Sequence, residues 1–264
     1  MTQPRTRLPS TPRPENTQLE NYYLSQAYTS HIGKAKTILD RIYVMARGFT
    51  LKWKLSIVEK NTLNSTNKKL LDYGCGTGEF PKVAKAANWI TFGVEPSTTA
   101  RHQASDNIKF DISPSLEGIP TNEKFNSITL WHVLEHVSDL DQTIQRLKNL
   151  LTNNGTIFIA VPNHLSWDGK KYRSNWAGYD VPRHLWHFSK DNMKMLLEKN
   201  EMKLLKIIPM KLDALYICLL SEKYKANGVL TPLTVVKAFI NGVRSNIQGK
   251  KNGEYSSTIF IARK

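Results

Sequence analysis

Cysteine is nearly absent. Cys75 and Cys218 are the only two in 264 residues, so neither a disulfide framework nor a cysteine-rich zinc module can be built, and a reducing, cytoplasmic setting is expected. Acidic residues are also scarce. Subtracting 22 Asp and Glu from 37 Lys and Arg leaves a formal charge of +15, which admits nucleic acid, an anionic membrane surface or an acidic substrate without choosing among them. No apolar run approaches the ~18–20 residues of a membrane span. The best, Leu212 to Leu220, is about half that length and includes Asp213, so no transmembrane segment is expected. Residues 1–16 hold four prolines with Arg5, Arg7 and Arg13 but lack the apolar stretch of a secretory signal. With little to bury, they read as a flexible tail.

What is present is an ordinary globular composition, 40% apolar and 9% aromatic, enough to bury a sizeable core. Over residues 17–60 the pattern is helical, with Ile38, Leu39, Ile42, Tyr43 and Ala46 on one face. From Lys69 short apolar runs alternate with helical stretches. Strands are expected at Leu70–Tyr73, Ile90–Val94, Ile108–Phe110, Ser127–Trp131 and Thr156–Val161, with helices at Glu79–Ala87, Ser97–Ser105 and Leu140–Leu151. Such alternation implies an α/β fold with a parallel sheet covered on both faces. Residues 162–188 read as irregular, Ser189 as the cap of a helix reaching Asn200, and Leu212–Gly253 as mixed helix and loop between closing strands Met202–Ile208 and Ser256–Ile261.

The first chemical signal is Leu70-Leu71-Asp72-Tyr73-Gly74-Cys75-Gly76-Thr77-Gly78-Glu79-Phe80, a strand entering a glycine turn and then a helix. Glycine permits positive φ and lets a ligand lie against bare backbone. The next strand ends in Gly93-Val94-Glu95-Pro96, which places a carboxylate 17 positions after Gly78, close to the ~20 expected of an acidic group on ribose hydroxyls. Together these point to an adenosine-containing cofactor. Gly74-x-Gly76-x-Gly78 is tighter than the dinucleotide fingerprint, and Asp72 precedes it. In this the sequence resembles the class I S-adenosylmethionine-dependent methyltransferases, bacterial small-molecule type, whose first motif is acidic-x-Gly-x-Gly-x-Gly. Charge agrees with the resemblance: that cofactor carries an ammonium and a sulfonium and no pyrophosphate, so a carboxylate beside the loop attracts it and would repel a dinucleotide. The cofactor contacts so assigned are Asp72, Gly74, Cys75, Gly76, Gly78, Glu95 and Pro96.

Phe125-Asn126-Ser127-Ile128-Thr129-Leu130-Trp131-His132-Val133-Leu134-Glu135-His136-Val137 resembles the fourth-strand motif of small-molecule methyltransferases, with Asn126 where Asp is usual. The resemblance makes Trp131 and His132 neighbours of the cofactor. If the segment is helical, His132, Glu135 and His136 share one face. They are the catalytic candidates, with a neutral His132 as general base. The same H-x-x-E-H spacing occurs in metalloproteases. No third ligand stands out downstream and the segment follows a parallel strand, so no metal is expected, although some quinone-pathway methyltransferases that resemble this segment use a divalent ion near it.

The acceptor side is read from aromatic segments. Trp167, Tyr172, Trp176, Tyr179, Trp186 and Phe188 interleave with Arg173, Asp180, Arg183, His184 and His187, a mix that suits a pocket wall or lid. Asp180–Ser189 resembles a segment of bacterial class I methyltransferases, and so does Asn21–His31. Arg183, His184 and His187 are substrate candidates, as are Tyr23, Tyr28 and His31 from a segment that in such enzymes folds over the cofactor. Lys190 and Lys194 lie one turn apart on a solvated helix face, and no compact basic cluster with stacking aromatics occurs, so nucleic acid is not the expected partner.

These readings combine into a Rossmann-like, doubly wound, mostly parallel seven-stranded sheet with one antiparallel strand near Ser256–Ile261, the last inferred from the resemblance. A helical N-terminal cap over 17–60 and substrate-side insertions at 162–188 and 212–253 complete a domain over 17–264. The expected activity is transfer of a methyl group from S-adenosylmethionine to an O or N nucleophile of a small molecule, glycan precursor or lipid-linked metabolite. Peripheral membrane contact is compatible with it. Two rivals are an NAD-dependent oxidoreductase on a similar fold and a non-catalytic cofactor-binding module with a basic RNA- or membrane-binding surface.

Overall fold

The computed structural model describes residues 8–12, 38–63, 67–108 and 112–264. Helix α1 (Ile38–Asn61) leads into β1 (Lys69–Tyr73), α2 (Glu79–Ala86), β2 (Ile90–Val94), α3 (Thr98–Ile108) and β3 (Ile112–Ser113). Then come β4 (Phe125–Trp131), α4 (Leu140–Leu150), β5 (Leu151–Pro162), the short α5 (Trp167–Tyr172), α6 (Lys190–Lys199), β6 (Lys203–Pro209), α7 (Lys211–Lys225), α8 (Pro232–Asn252) and β7 (Ser257–Arg263). The strands form one seven-stranded sheet in the order β3-β2-β1-β4-β5-β7-β6. The β1–β2, β1–β4 and β2–β3 pairs are parallel. β7 runs against β5: Lys264 N donates to Gly155 O at 3.5 Å and Asn163 N to Ser256 O at 2.8 Å, so partner numbers fall along one strand as they rise along the other.

The chain divides into two compact units. The first comprises Pro14–Trp131, Gln145–Phe158 and Arg263–Lys264. Its β1 centre, Leu70 and Leu71, is fully buried, as a strand covered on both faces requires. The parallel register sets Asp72 beside Gly93 of β2 and beside Thr129 of β4. Asn126 accepts a hydrogen bond from the Lys69 backbone N–H at 2.9 Å and so ties the start of β4 to the start of β1. An Asp oxygen would accept the same bond.

The second unit comprises Met1–Arg13, His132–Ile144 and Ile159–Ala262. Ile159–Val161 and Ile259–Ala262 are buried continuously. Ser189 caps α6 by accepting from Asn192 N at 3.4 Å, while Asn192 Oδ1 accepts from Ser189 N at 2.7 Å. A small core of Tyr172, Trp176, Ala177, Ile217, Cys218 and Ala238 joins α5, α7 and α8. Beneath it the buried Asp168 accepts from Trp176 Nε1 at 2.7 Å and from the hydroxyls of Ser245 and Ser256 at 2.6 Å each, which satisfies a charge that would otherwise be costly to bury.

Several expectations change. The third strand is Ile112–Ser113, and Ile108 ends α3 instead of opening a strand; a three-residue stretch with Lys109 in its middle carries too little periodicity to separate the two. The 162–188 stretch contains α5 and two 3-10 turns, and 212–253 holds the long helices α7 and α8. Leu8–Pro12, expected within a flexible tail, is held in extended form: Thr11 N donates to Leu185 O and His187 N to Pro9 O, both at 3.0 Å. Backbone hydrogen bonding, which composition does not encode, orders it.

Candidate active site

In the first unit the glycine loop and the tip of β2 are latched together. Gly74, Gly76 and Gly78 have φ of 75°, 56° and 77°, the left-handed region in which a side chain is strained. Gly74 N and Cys75 N both donate to Val94 O, at 2.7 and 3.0 Å. The Glu95 carboxylate accepts from Gly76 N at 2.9 Å through one oxygen and from Ser97 N at 2.8 Å through the other. Arg101 closes the turn with hydrogen bonds of 2.8 Å to the carbonyls of Glu95 and Pro96. A Cβ placed on Gly76 would meet nothing within 4 Å, so the loop backbone faces open space on that side.

Asp72 is buried and accepts from Thr129 Oγ1 at 2.6 Å. Burial pushes its carboxyl up to about 7, with Thr129 and Lys54 opposing and Glu95 adding to the rise. Such a group takes its charge most readily when a cation arrives. Lys54 Nζ also lies 4.6 Å from the Trp131 ring centroid, and Phe80 meets that ring edge-on at 5.1 Å. The buried Trp131 indole N–H has no hydrogen-bond partner among the described residues. Cys75 is a buried free thiol pushed upward chiefly by burial, so it is no nucleophile at neutral pH.

In the second unit the chain after Trp131 turns sharply instead of starting a helix. His132 has φ of 59° and only Leu134–His136 forms a 3-10 turn, so the expected single helical face is corrected. Positive φ at a non-glycine residue is strain of the kind that collects at functional sites. His132 Nε2 lies 2.9 Å from Asp213 Oδ2 and Nδ1 lies 3.4 Å from Glu135 Oε1. Burial disfavours the imidazolium, but the two carboxylates outweigh it and raise the ring to about 9. The two flanking carboxylates thus favour the imidazolium, against the expected preference for a neutral ring.

Glu135 is fully buried, and neither carboxylate oxygen makes a hydrogen bond within the described residues. Burial works against its charge; His132, His184 and His136 overcome that and hold its carboxyl below the ordinary range. His136 Nδ1–H donates to Arg183 O at 3.0 Å and His184 Nδ1–H to Gly178 O at 2.9 Å. Those bonds make Nδ1 the donating nitrogen of each ring, and His184 Nε2 lies 4.0 Å from Glu135 Oε1. The rings stack edge-on at 4.6 Å. One donor atom each of Glu135, His136 and His184 lie within 4.8 Å of one another, a set with the chemistry to hold a divalent cation.

The substrate candidates separate. His184 joins the Glu135 cluster, and Arg183 lies beside it, paired to Asp180 at 2.6 Å. His187 bonds to Thr11 at 2.9 Å and stacks on Tyr179 at 5.0 Å; burial, helped by His184 and His164, drives its imidazole down to about 4. Tyr23, Tyr28 and His31 lie outside the described residues. Asp213 was not legible, because it sits 81 positions from His132 in a segment that reads as buried helix. An open cleft of about 730 Å³, lined by Leu8, Asp141, Trp186 and Lys199 among others, is lined by none of these candidates.

A family model described as a methyltransferase domain matches residues 47–207, more than half of the sequence. The chain belongs to that family. Among relatives of this methyltransferase-domain chain is the ubiquinone biosynthesis O-methyltransferase of Glaesserella parasuis serovar 5 (strain SH0165), 30% identical over 122 residues that make up 42% of the chain and 52% of the relative. The chain thus spans about half the length of the curated relatives it matches. Among solved structures, a mycolic acid cyclopropane synthase in complex with SAH and CTAB shares the fold at a TM-score of 0.64 and 12% identity, covering 96% of this chain and 99% of that one. The geranyl diphosphate C-methyltransferase of Streptomyces coelicolor A3(2) matches at a TM-score of 0.57 and 14% identity, covering 89% and 84%.

Proposed function

We propose that the chain transfers a methyl group from S-adenosylmethionine to an oxygen or nitrogen nucleophile of a small molecule, glycan precursor or lipid-linked metabolite. The observation that carries this reading is the latch between Glu95 and the Gly76 and Ser97 amides beside the buried Asp72. Each Glu95 oxygen keeps a second lone pair for a ribose hydroxyl. Asp72 attracts an amino-acid ammonium, whereas it would repel the pyrophosphate of NAD. The family and the O-methyltransferase names of the relatives support the reading and favour an oxygen acceptor. The cofactor supplies a methyl already activated by its sulfonium, so the protein's part is alignment, exclusion of water and control of one proton.

His132 follows Trp131 directly along the chain and is the residue we assign to the proton. Its ring, held between Asp213 and Glu135, takes the acceptor's proton in its neutral form, and the two carboxylates stabilise the imidazolium that results. Glu135 positions it from 3.4 Å, His136 holds the Arg183 backbone at 3.0 Å, and Arg183, His184 and His187 are assigned to the acceptor. We place the enzyme in the cytoplasm: both cysteines are free and buried, and no described helix is long and apolar enough to cross a membrane.

The test is His132→Ala. Unchanged affinity for S-adenosylmethionine with strongly reduced turnover is expected; wild-type turnover would remove the base role. A labelled cofactor supplied with a cell extract, followed by mass spectrometry for a product heavier by one methyl, identifies the acceptor.

A further inference from the structure

Helix α8 faces the wrong way for an ordinary amphipathic helix. Its buried face is small, made of Ala238, Gly242, Ser245 and Gly249, and its bulky side chains point outward. Leu233, Phe239 and Ile240 are 63, 60 and 53% exposed, and Val236, Val243 and Ile247 continue the stripe at 55, 39 and 51%. Positions 233, 236, 240, 243 and 247 repeat at three and four residues, so they form one continuous ridge. The helix cannot roll to hide it. A Cβ on Gly242 would come within 2.8 Å of the Leu215 Cα and one on Gly249 within 2.7 Å of the Tyr255 ring. Ser245 is also tied to Asp168 at 2.6 Å and Asn241 to Tyr172 at 2.9 Å.

The charges around this ridge have one sign. From Lys223 to Gly253 the sequence contains no Asp or Glu, and Lys237, Arg244, Lys250 and Lys251 all lie exposed on α8. Lys237, Arg244 and Lys251 recur every seven residues along one flank of the ridge. Val229 and Leu230, 60 and 43% exposed, extend the apolar surface into the turn before the helix.

We propose that α8 is an interfacial helix that seats the protein on an anionic lipid surface, with the ridge in the acyl boundary and the flanking cations at the headgroups. Charge complementarity decides the occupant. A second copy of this chain packed ridge to ridge and antiparallel would set the flank cations against each other with no acidic residue to neutralise them. Nucleic acid would pair with the cations and leave the ridge in water. An anionic bilayer satisfies both. The inference does not depend on the proposed methyl transfer, because its test needs neither cofactor nor turnover.

The full chain is sedimented with vesicles of phosphatidylcholine alone and of phosphatidylcholine mixed with phosphatidylglycerol. Binding to the mixed vesicles only, weakened by salt, is expected. Phe239→Gln combined with Ile240→Gln should lower partitioning by about tenfold or more, since each side chain contributes its own transfer into the apolar layer. Lys237→Glu combined with Lys251→Glu should lower it by about twentyfold or more, at about fivefold per lost cation. Both variants alter outward side chains, so thermal melting should match wild type. No partitioning of the wild type, or wild-type partitioning by both variants, overturns the proposal. So does a solution dimer that the Phe239 and Ile240 variant splits, which would give the ridge to a second copy, or RNA binding without lipid binding.

Discussion

Glu95 holds two backbone amides that no other described group satisfies as an acceptor at that turn. Glu95→Ala should therefore weaken S-adenosylmethionine binding at least about tenfold, by removing a charge-assisted acceptor and loosening the loop, as measured by calorimetry. Asp72 gives a second prediction. Its carboxyl is raised to about 7, so a cofactor whose ammonium pairs with the ionised form should bind more tightly as pH rises from 6 to 8, and Asp72→Asn should flatten that dependence. His132 gives a third. Its folded value of about 9 exceeds 6.5, so the stabilisation from its ion pairs is fully present below pH 6.5 and lost as pH rises through 9. Asp213→Asn should thus melt below wild type at pH 6, with the gap closing by pH 9.5. A gap independent of pH would separate His132 from Asp213.

At the scale of elements, the α7–α8 hairpin depends on backbone approach. Gly242→Val places a branched side chain where Leu215 Cα and Ala214 O stand at 2.8 and 3.1 Å, which should destabilise the protein by about 1–3 kcal/mol or more, read from denaturant unfolding. Strand and helix alternation from Lys69 was legible because short, mainly apolar stretches bounded by turn residues, as at Leu70–Tyr73 and Ile90–Val94, alternate with helical periodicity. The glycine loop and Glu95 were legible for the same reason: their spacing is local. His184 was legible as a candidate but not its place against Glu135, and Asp213 was not legible at all, because such pairings form only when distant segments fold together. The turn at His132 escaped notice since nothing in His-Val-Leu-Glu-His announces positive φ.

For the whole molecule, one strand order runs through a single sheet, and Met1–Arg13 falls with His132–Ile144 and Ile159–Ala262 in the second compact unit. Residues 8–12 belong to its packing, since Thr11 and Pro9 bond the 185–187 segment; deleting residues 1–12 should lower the melting temperature, and an unchanged value would free them from that role. The charge of +15 places no group at the proposed chemistry, and on α8 it gains a location beside an exposed apolar ridge. The central claim is that Asp72, the glycine loop and Glu95 hold S-adenosylmethionine. Calorimetry of the purified chain against S-adenosylmethionine, S-adenosylhomocysteine and NAD tests it most directly: saturable one-to-one binding of the first two with none of NAD is the predicted result, and a preference for NAD would contradict the account.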